Sequence, residues 1–172
     1  WGNYKTIKSN IFTPKNIKEL KKIIKKNKKF IIRGMGRSYG DSSIGKNIIS
    51  LDNFEKFIQL DKKKGVIHCS SNISIENILN KSERNGWFLK VSPGSKFISV
   101  GGLIASDVHG KNHHRDGTFC KHLIEIEILL DNGKILKINK KRKSKLFKAT
   151  CGGMGLTGVI ISAKFKMLKI KS

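Results

Sequence analysis

Acidic residues are scarce in this chain: 12 Asp and Glu stand against 36 Lys and Arg, a formal charge of +24 over 172 residues. Proline occurs twice, and the three cysteines (Cys69, Cys120, Cys151) are widely spaced with no Cys-x-x-Cys pair. That usage excludes a disulfide-stapled scaffold and points to a reducing compartment, with the cysteines read as packing residues. No apolar run reaches the roughly 18 residues of a membrane-spanning helix, and the first residues carry no signal-peptide pattern. The expectation is therefore a cytoplasmic protein. Hydrophobic content of 38% is too high for a disordered polymer. The length suits one domain, or two small lobes sharing a core.

The basic excess is lysine rather than arginine, 31 of the 36 cations, in a chain with 25 Ile, 13 Asn and three Ala. Lys, Ile and Asn share A/T-rich codons, so genome composition accounts for the bias. Nucleic-acid sites favour arginine forks and stacking aromatics, and aromatics make up only 8% of this chain. The lysine runs (Lys21-Lys22, Lys25-Lys26, Lys62 to Lys64) read as solvated faces, and no specific nucleic acid is expected as a partner.

What is present is a regular alternation of elements. Thr13-Pro14 is expected to open a helix on which Ile17, Leu20, Ile23 and Ile24 share one face. Phe30 to Ile32 and Ile48 to Leu51 read as strands. Phe57 to Leu60 with Val66 to Cys69 reads as a hairpin. Ser74 caps a helix that stops near Asn85-Gly86. Trp87 to Val91 is extended, Val100 to Ser106 is a short helical patch, and Asn132-Gly133 supplies the positive φ angles of a tight hairpin between Leu123 to Leu130 and Lys134 to Ile138. Ser144 to Thr150 is a short helix and Val159 to Met167 a final strand. This order predicts an α+β protein in two lobes, split near Asn53 to Leu60.

Three glycine-rich segments stand out: Arg33 to Asp41, Pro93-Gly94-Ser95 leading to Ser99 to Gly102, and Cys151 to Gly158. Glycines permit close backbone approach, and successive amides can point at one anion. Such loops serve either as turns or as the cradle of a long phosphate-bearing cofactor, and spacing alone leaves both open. The first loop lacks the Gly-Lys-Ser/Thr of a P-loop and the third glycine spacing of a dinucleotide fingerprint. In Asp107 to His114, His109 and His113 sit four apart. Gly110 and Asn112 argue for a loop, however, and no acidic ligand completes a metal set, so no metal is expected. A polar loop that bonds a cofactor or substrate fits better, with His109 as a proton donor or an orienting group. Tyr39 has no base partner at readable spacing and reads as a packing residue.

Taken together, RGMGRSYGDSS (Arg33 to Ser43), PGSKFISVGGLIASDVHGKNHHRDGTF (Pro93 to Phe119) and CGGMGLTGVI (Cys151 to Ile160) resemble the FAD-binding domain of the vanillyl-alcohol oxidase/para-cresol methylhydroxylase flavoprotein family. The resemblance implies a two-lobed FAD-binding domain of the PCMH type. Residues 1–56 would form a small α/β lobe, and residues 57–172 a larger, mostly antiparallel lobe with helices. It implies cofactor contacts from Ile32, Arg33, Gly34, Met35, Gly36, Arg37, Ser38, Tyr39, Gly40, Asp41 and Ser42 in the first loop. Pro93, Gly94, Ser99, Val100, Gly101, Gly102, Ala105 and Ser106 follow in the second. His109, Gly110, Asn112, His113, Gly117, Thr118 and Phe119 would line the flavin side, with Gly158 and Val159 beyond, and His109 would face the substrate.

Several members of the family bind flavin covalently through a first-loop His where this sequence has Arg37, so the FAD is expected to be non-covalent. The Gly-Lys-Asn-His-His string favours the decaprenylphosphoryl-ribose branch of the family. That branch implies oxidation of a sugar secondary alcohol to a keto sugar by hydride transfer to flavin N5, and a reductase partner that completes an epimerisation. Family members continue into a substrate-binding domain beyond the position of Ser172, so a small or lipid-linked sugar would be bound by residues outside this chain. A lipid-linked substrate would bring loose membrane association. The alternatives are an aldonolactone or hydroxy-acid oxidase of the same family, a nucleotide-sugar reductase, and a basic polyanion-binding module without flavin.

Overall fold

The computed structural model describes residues 2 and 6–170. Strand β1 (Asn10–Phe12) leads into helix α1 (Ile17–Lys26), then β2 (Ile31–Arg33) and β3 (Asn47–Ser50). These strands form a parallel sheet of order β1-β3-β2. β1 has no counterpart among the elements read from sequence. It is three residues long and Ile11 is 65% exposed, so no alternation betrays it.

Helix α1 starts later than Thr13-Pro14 suggests. Asn16 is the N-cap, and its Oδ1 accepts the amide of Glu19 at 3.0 Å. Glu19 returns a carboxylate to the amide of Lys15 at 2.8 Å, so two otherwise orphaned donors are satisfied at once. Pro14 is instead buried ahead of the helix. Leu20 and Ile24 pack with Ile49, Leu51 and Phe54 in the smaller of two apolar clusters.

The second sheet begins with the hairpin β4 (Ile58–Asp61) and β5 (Val66–Ser70). Helix α2 (Ile75–Ser82) follows, capped by Ser74 and stopped through a turn at Gly86, φ +75°. β6 (Trp87–Leu89), α3 (Val100–Ala105), the single turn α4 (His113–Asp116) and β7 (Leu123–Leu129) come next, then β8 (Ile135–Ile138), α5 (Ser144–Thr150) and β9 (Val159–Lys169). The strands run β4-β5-β9-β7-β8, with β6 paired to the far end of β9, all antiparallel. At the β7–β8 turn only Gly133 has positive φ (+78°), and Asn132 does not. The connection is a three-residue loop closed by Leu130 N–H to Lys134 O at 2.9 Å, rather than a two-residue mirror-image turn.

The larger core lies between the second sheet and α2, α3 and α5, with Phe165, Ile67, Ile78, Leu103, Ile104, Ile126 and Ile128 buried. Leu129 and Val159, at one end of the paired β7 and β9, belong to the smaller cluster and pack with α1. That shared packing seats the parallel sheet against the antiparallel one. The structure is thus mixed helix and sheet with a large antiparallel sheet, as expected.

Candidate functional site

A cleft of about 1280 Å³ opens between the first glycine loop, the chain leaving β6 and the His segment. Pockets for drug-sized ligands occupy about 300–1,000 Å³, so this one suits a longer, dinucleotide-sized ligand. A cavity of about 80 Å³ adjoins it and shares the walls at Ile32, Gly34, Met35, Ser99, Gly102, Ala105 and Met154.

The first loop follows directly from β2. Gly34 is a close-approach glycine: a Cβ there would stand 2.5 Å from Ser99 Oγ. Gly36 has φ +63°, and its missing Cβ would run into the Arg33 guanidinium. That guanidinium reaches Ser43 Oγ at 3.3 Å and Ser43 O at 3.4 Å, holding the loop closed on itself. Ser38 Oγ joins the same hydroxyl at 3.3 Å. Gly36, Arg37, Ser38, Tyr39 and Ser42 all line the cleft. Tyr39 is 90% exposed, so the reading of it as a packing residue is corrected. Gly40 and Asp41, which follow it, are both at positive φ.

The second loop and the helix that follows contribute Pro93, Gly94, Ser99, Gly102, Ala105 and Ser106 to the lining. Three amides of this stretch are engaged within the protein. Val100 N–H donates to Ile73 O at 2.9 Å, Gly101 N–H to Ser71 O at 2.7 Å, and Gly102 N–H to the capping Ser99 Oγ at 3.2 Å. Gly101 serves close packing instead, since a Cβ would lie 3.2 Å from Ser71 Cβ. The third loop is likewise tied inward, by Gly152 N–H to Ile104 O at 3.0 Å and Met154 N–H to Ala105 O at 2.8 Å. It presents Met154, Gly155 and Gly158 to the smaller cavity.

The His segment is closed at its base by a bridge between His109 and Thr118 and folds into α4, where the sequence suggested only loop. Asn112 makes the turn. Its Nδ2 donates to Lys90 O at 2.9 Å and to Asp116 Oδ2 at 2.7 Å. The hydrogen bond from Arg115, then that from Asn112, holds the Asp116 carboxyl below its ordinary range. Burial pushes the neighbouring His122 down, although its ring lies 2.9 Å from Asp116 O. His109, Gly110, Asn112 and His113 face the cleft, with the His109 and His113 rings edge-on at 5.4 Å. Among the described residues no group of three or more His, Cys, Asp or Glu is arranged to hold a metal ion.

Some expected contacts lie behind the walls rather than on them. Val100, Phe119 and Val159 are core residues. Gly117 (φ +74°) ends α4, Thr118 closes the bridge, and Asp41 is buried and accepts the amide of Gly2 at 2.9 Å. Gly40 lines neither space. Conversely, Asp52, Ser71 and Asn72 border the smaller cavity, and Lys90 and Leu168 border the cleft, though no motif marked them; Ser43 and Ile98, inside the quoted motifs, border the cleft as well. Asn72 donates to Leu51 O at 2.7 Å and Phe54 O at 3.0 Å, while its buried Oδ1 has no protein partner. An orphaned acceptor on a cavity wall fits a ligand that brings a donor.

Residues 9–139 match the family of FAD-binding domains. The chain is 35% identical over 140 residues to decaprenylphosphoryl-β-D-ribose oxidase of Mycolicibacterium smegmatis, covering 80% of this chain and 30% of that protein. It is 27% identical over 135 residues to a D-lactate dehydrogenase of Anaerostipes hadrus, covering 75% and 28%. A solved structure of a Phl p 4 variant described as a glucose oxidase superposes with a TM-score of 0.82 at 17% identity, covering 94% of this chain and 35% of that one. The chain therefore spans about a third or less of the length of these proteins. With the family match over most of its length, the same fold and a cleft of dinucleotide size, the chain belongs to the FAD-binding domains of the vanillyl-alcohol oxidase type, and FAD is its cofactor.

Proposed function

We propose that this chain is the cofactor-holding part of an oxidoreductase that converts the secondary alcohol of a decaprenylphosphoryl-ribose-type sugar to a ketone. The observation that carries this reading is the identity of 35% to the oxidase of that substrate, over 140 residues and 80% of this chain. Bound FAD supplies the hydride acceptor in such chemistry. The chain's own residues bind and orient it. Gly34 and Gly36 let the first loop approach closely, while Arg33, Arg37, Lys90 and Lys111 set positive charge along the cleft against a diphosphate. Asn72 Oδ1 offers an acceptor in the smaller cavity. His109 is assigned the substrate side, where an imidazole can take or hold the hydroxyl proton as the adjacent C–H is broken.

Arg37, where a histidine linkage would be needed, supports dissociable FAD. The ketone would pass to a partner reductase, completing an epimerisation. A lipid-linked substrate would hold the protein at a membrane surface, and no helix among the described residues is long and apolar enough to cross one. Family membership sets aside the polyanion-binding module without flavin. The second reading, a hydroxy-acid oxidoreductase of the same family, is favoured by the likeness to D-lactate dehydrogenase.

The test is the visible spectrum of the purified protein, followed by acid precipitation. The expected outcome is a yellow protein that releases flavin to the supernatant. Flavin that stays with the pellet overturns the non-covalent assignment, and failure to take up added FAD overturns the cleft as its site. Anaerobic bleaching of the flavin in the longer protein by a polyprenylphosphoryl pentose, and not by D-lactate, separates the two substrates.

A further inference from the structure

Two of the three cysteines meet at the seam between the His segment and the third glycine loop. Cys120 lies in the turn Phe119–His122 and is 5% exposed, whereas Cys151, which ends α5, is half-buried. One carbonyl gathers them. Ile104 O accepts the Cys120 thiol at 3.6 Å and the amide of Gly152, next to Cys151, at 3.0 Å. The amide of Cys120 is pinned to Asp107 Oδ1 at 3.0 Å. The Cys151 side chain packs against the apolar cluster that contains Cys120. That contact sorts their chemistry. The neighbouring Cys120 thiol, with Lys140 adding to its effect, shifts the Cys151 thiol down toward the thiolate, while Cys151 and burial push the Cys120 thiol up. Cys69 has no such neighbour: it is fully buried in β5, and burial pushes its thiol up to about 12.

We propose that Cys120 and Cys151 form a peroxide-reactive dithiol that closes to a disulfide between the His segment and the third glycine loop. The half-exposed Cys151 thiolate attacks hydrogen peroxide. An S–O bond forms, the O–O bond breaks, and the departing hydroxide takes a proton to become water, leaving a sulfenic acid. The Cys120 sulfur then attacks the Cys151 sulfur. The S–S bond forms, the S–O bond breaks, and the hydroxyl leaves with the Cys120 proton as a second water. Two thiols and one peroxide give one disulfide and two waters, the two electrons passing from sulfur to peroxide. A dithiol reductant reverses the bond. The bridge would lock together two segments that border the cleft and the smaller cavity.

The test treats the purified chain with hydrogen peroxide and counts thiols by alkylation under denaturing conditions, with peptide mapping. The expected result is a fall from three alkylatable cysteines to Cys69 alone, a linked peptide pair containing Cys120 and Cys151, and full recovery with dithiothreitol. Cys120→Ser should stop at a dimedone-reactive sulfenic acid on Cys151, and Cys151→Ser should slow oxidation of Cys120 by roughly tenfold or more. Three thiols retained in excess peroxide, a bridge to Cys69 or between chains, or unchanged Cys120 oxidation in Cys151→Ser would each overturn the proposal. Peptide mapping of the wild-type chain decides it even where a variant fails to fold.

Discussion

Gly36 and Gly40 stand four residues apart with nearly the same positive φ, +63° and +67°, yet their surroundings differ. A side chain at Gly36 meets the Arg33 guanidinium, whereas nothing lies within 4 Å of the position a Cβ would take at Gly40. Gly40→Ala therefore carries only backbone strain, about 1–2 kcal/mol, and should keep full FAD. Gly36→Val adds displacement of Arg33 from Ser43 and should lose retained FAD, measured as the ratio of flavin to protein absorbance after gel filtration. His109→Ala removes no wall contact of that kind and should retain the cofactor. A Gly36→Val protein that folds and holds full FAD would show that the first loop is not the cradle. At this scale the sequence reported which residues were special. It did not say that the amides of Val100 and Gly101 are consumed by Ile73 and Ser71.

Among the elements, the His segment shows how a polar loop is made rigid without a core of its own. Asn112 ties it outward to Lys90 beside β6 and inward to Asp116, which also pairs with Arg115 at 3.0 Å. Asn112→Ala removes two hydrogen bonds and strands the Lys90 carbonyl, a cost of about 1–3 kcal/mol. The expected outcome is faster amide exchange across residues 110–118 and weaker FAD binding, with the β5–β9–β7 ladder unchanged. Equal loosening of the whole sheet would contradict this local role. Helix α1 shows the opposite relation between sequence and structure. Its apolar face was legible as Ile17, Leu20, Ile23 and Ile24, but its start was not, because Thr13, Pro14 and Asn16 are all acceptable openings. Only the reciprocal bond between Asn16 and Glu19 selects one.

Across the whole molecule, stability should depend on pH through histidines held neutral. His68 in β5 pairs in register with Lys164 of β9, and burial, then that lysine, pushes its ring below the ordinary 6.5. His122 is shifted the same way, chiefly by burial. For a group with a depressed folded value, the unfolded chain binds more protons between the two values. Stability is then full above 6.5 and falls as the pH drops below it. His68→Gln should flatten the decline in melting temperature between pH 7 and 5; an unaltered slope would assign the decline to other groups. Lysine at register position 164 also shows that the charge of +24 is spread along strand faces as well as loops.

The sequence by itself determined the class of the fold, the extents of α3, α5 and most strands, and the glycine and histidine segments that mark an FAD-binding domain. Those features depend on local propensity, periodicity and motif spacing, all of which are contiguous in the chain. Tertiary structure alone decided the rest. It moved Tyr39 into the open, put Asn72, 38 positions after Gly34, on a wall of the same cavity, and brought Cys120 to Cys151 through the carbonyl of Ile104. Such meetings depend on how β7 and β9 pair and how α3 packs beneath them. No local pattern encodes a distance between residues that the chain itself holds far apart.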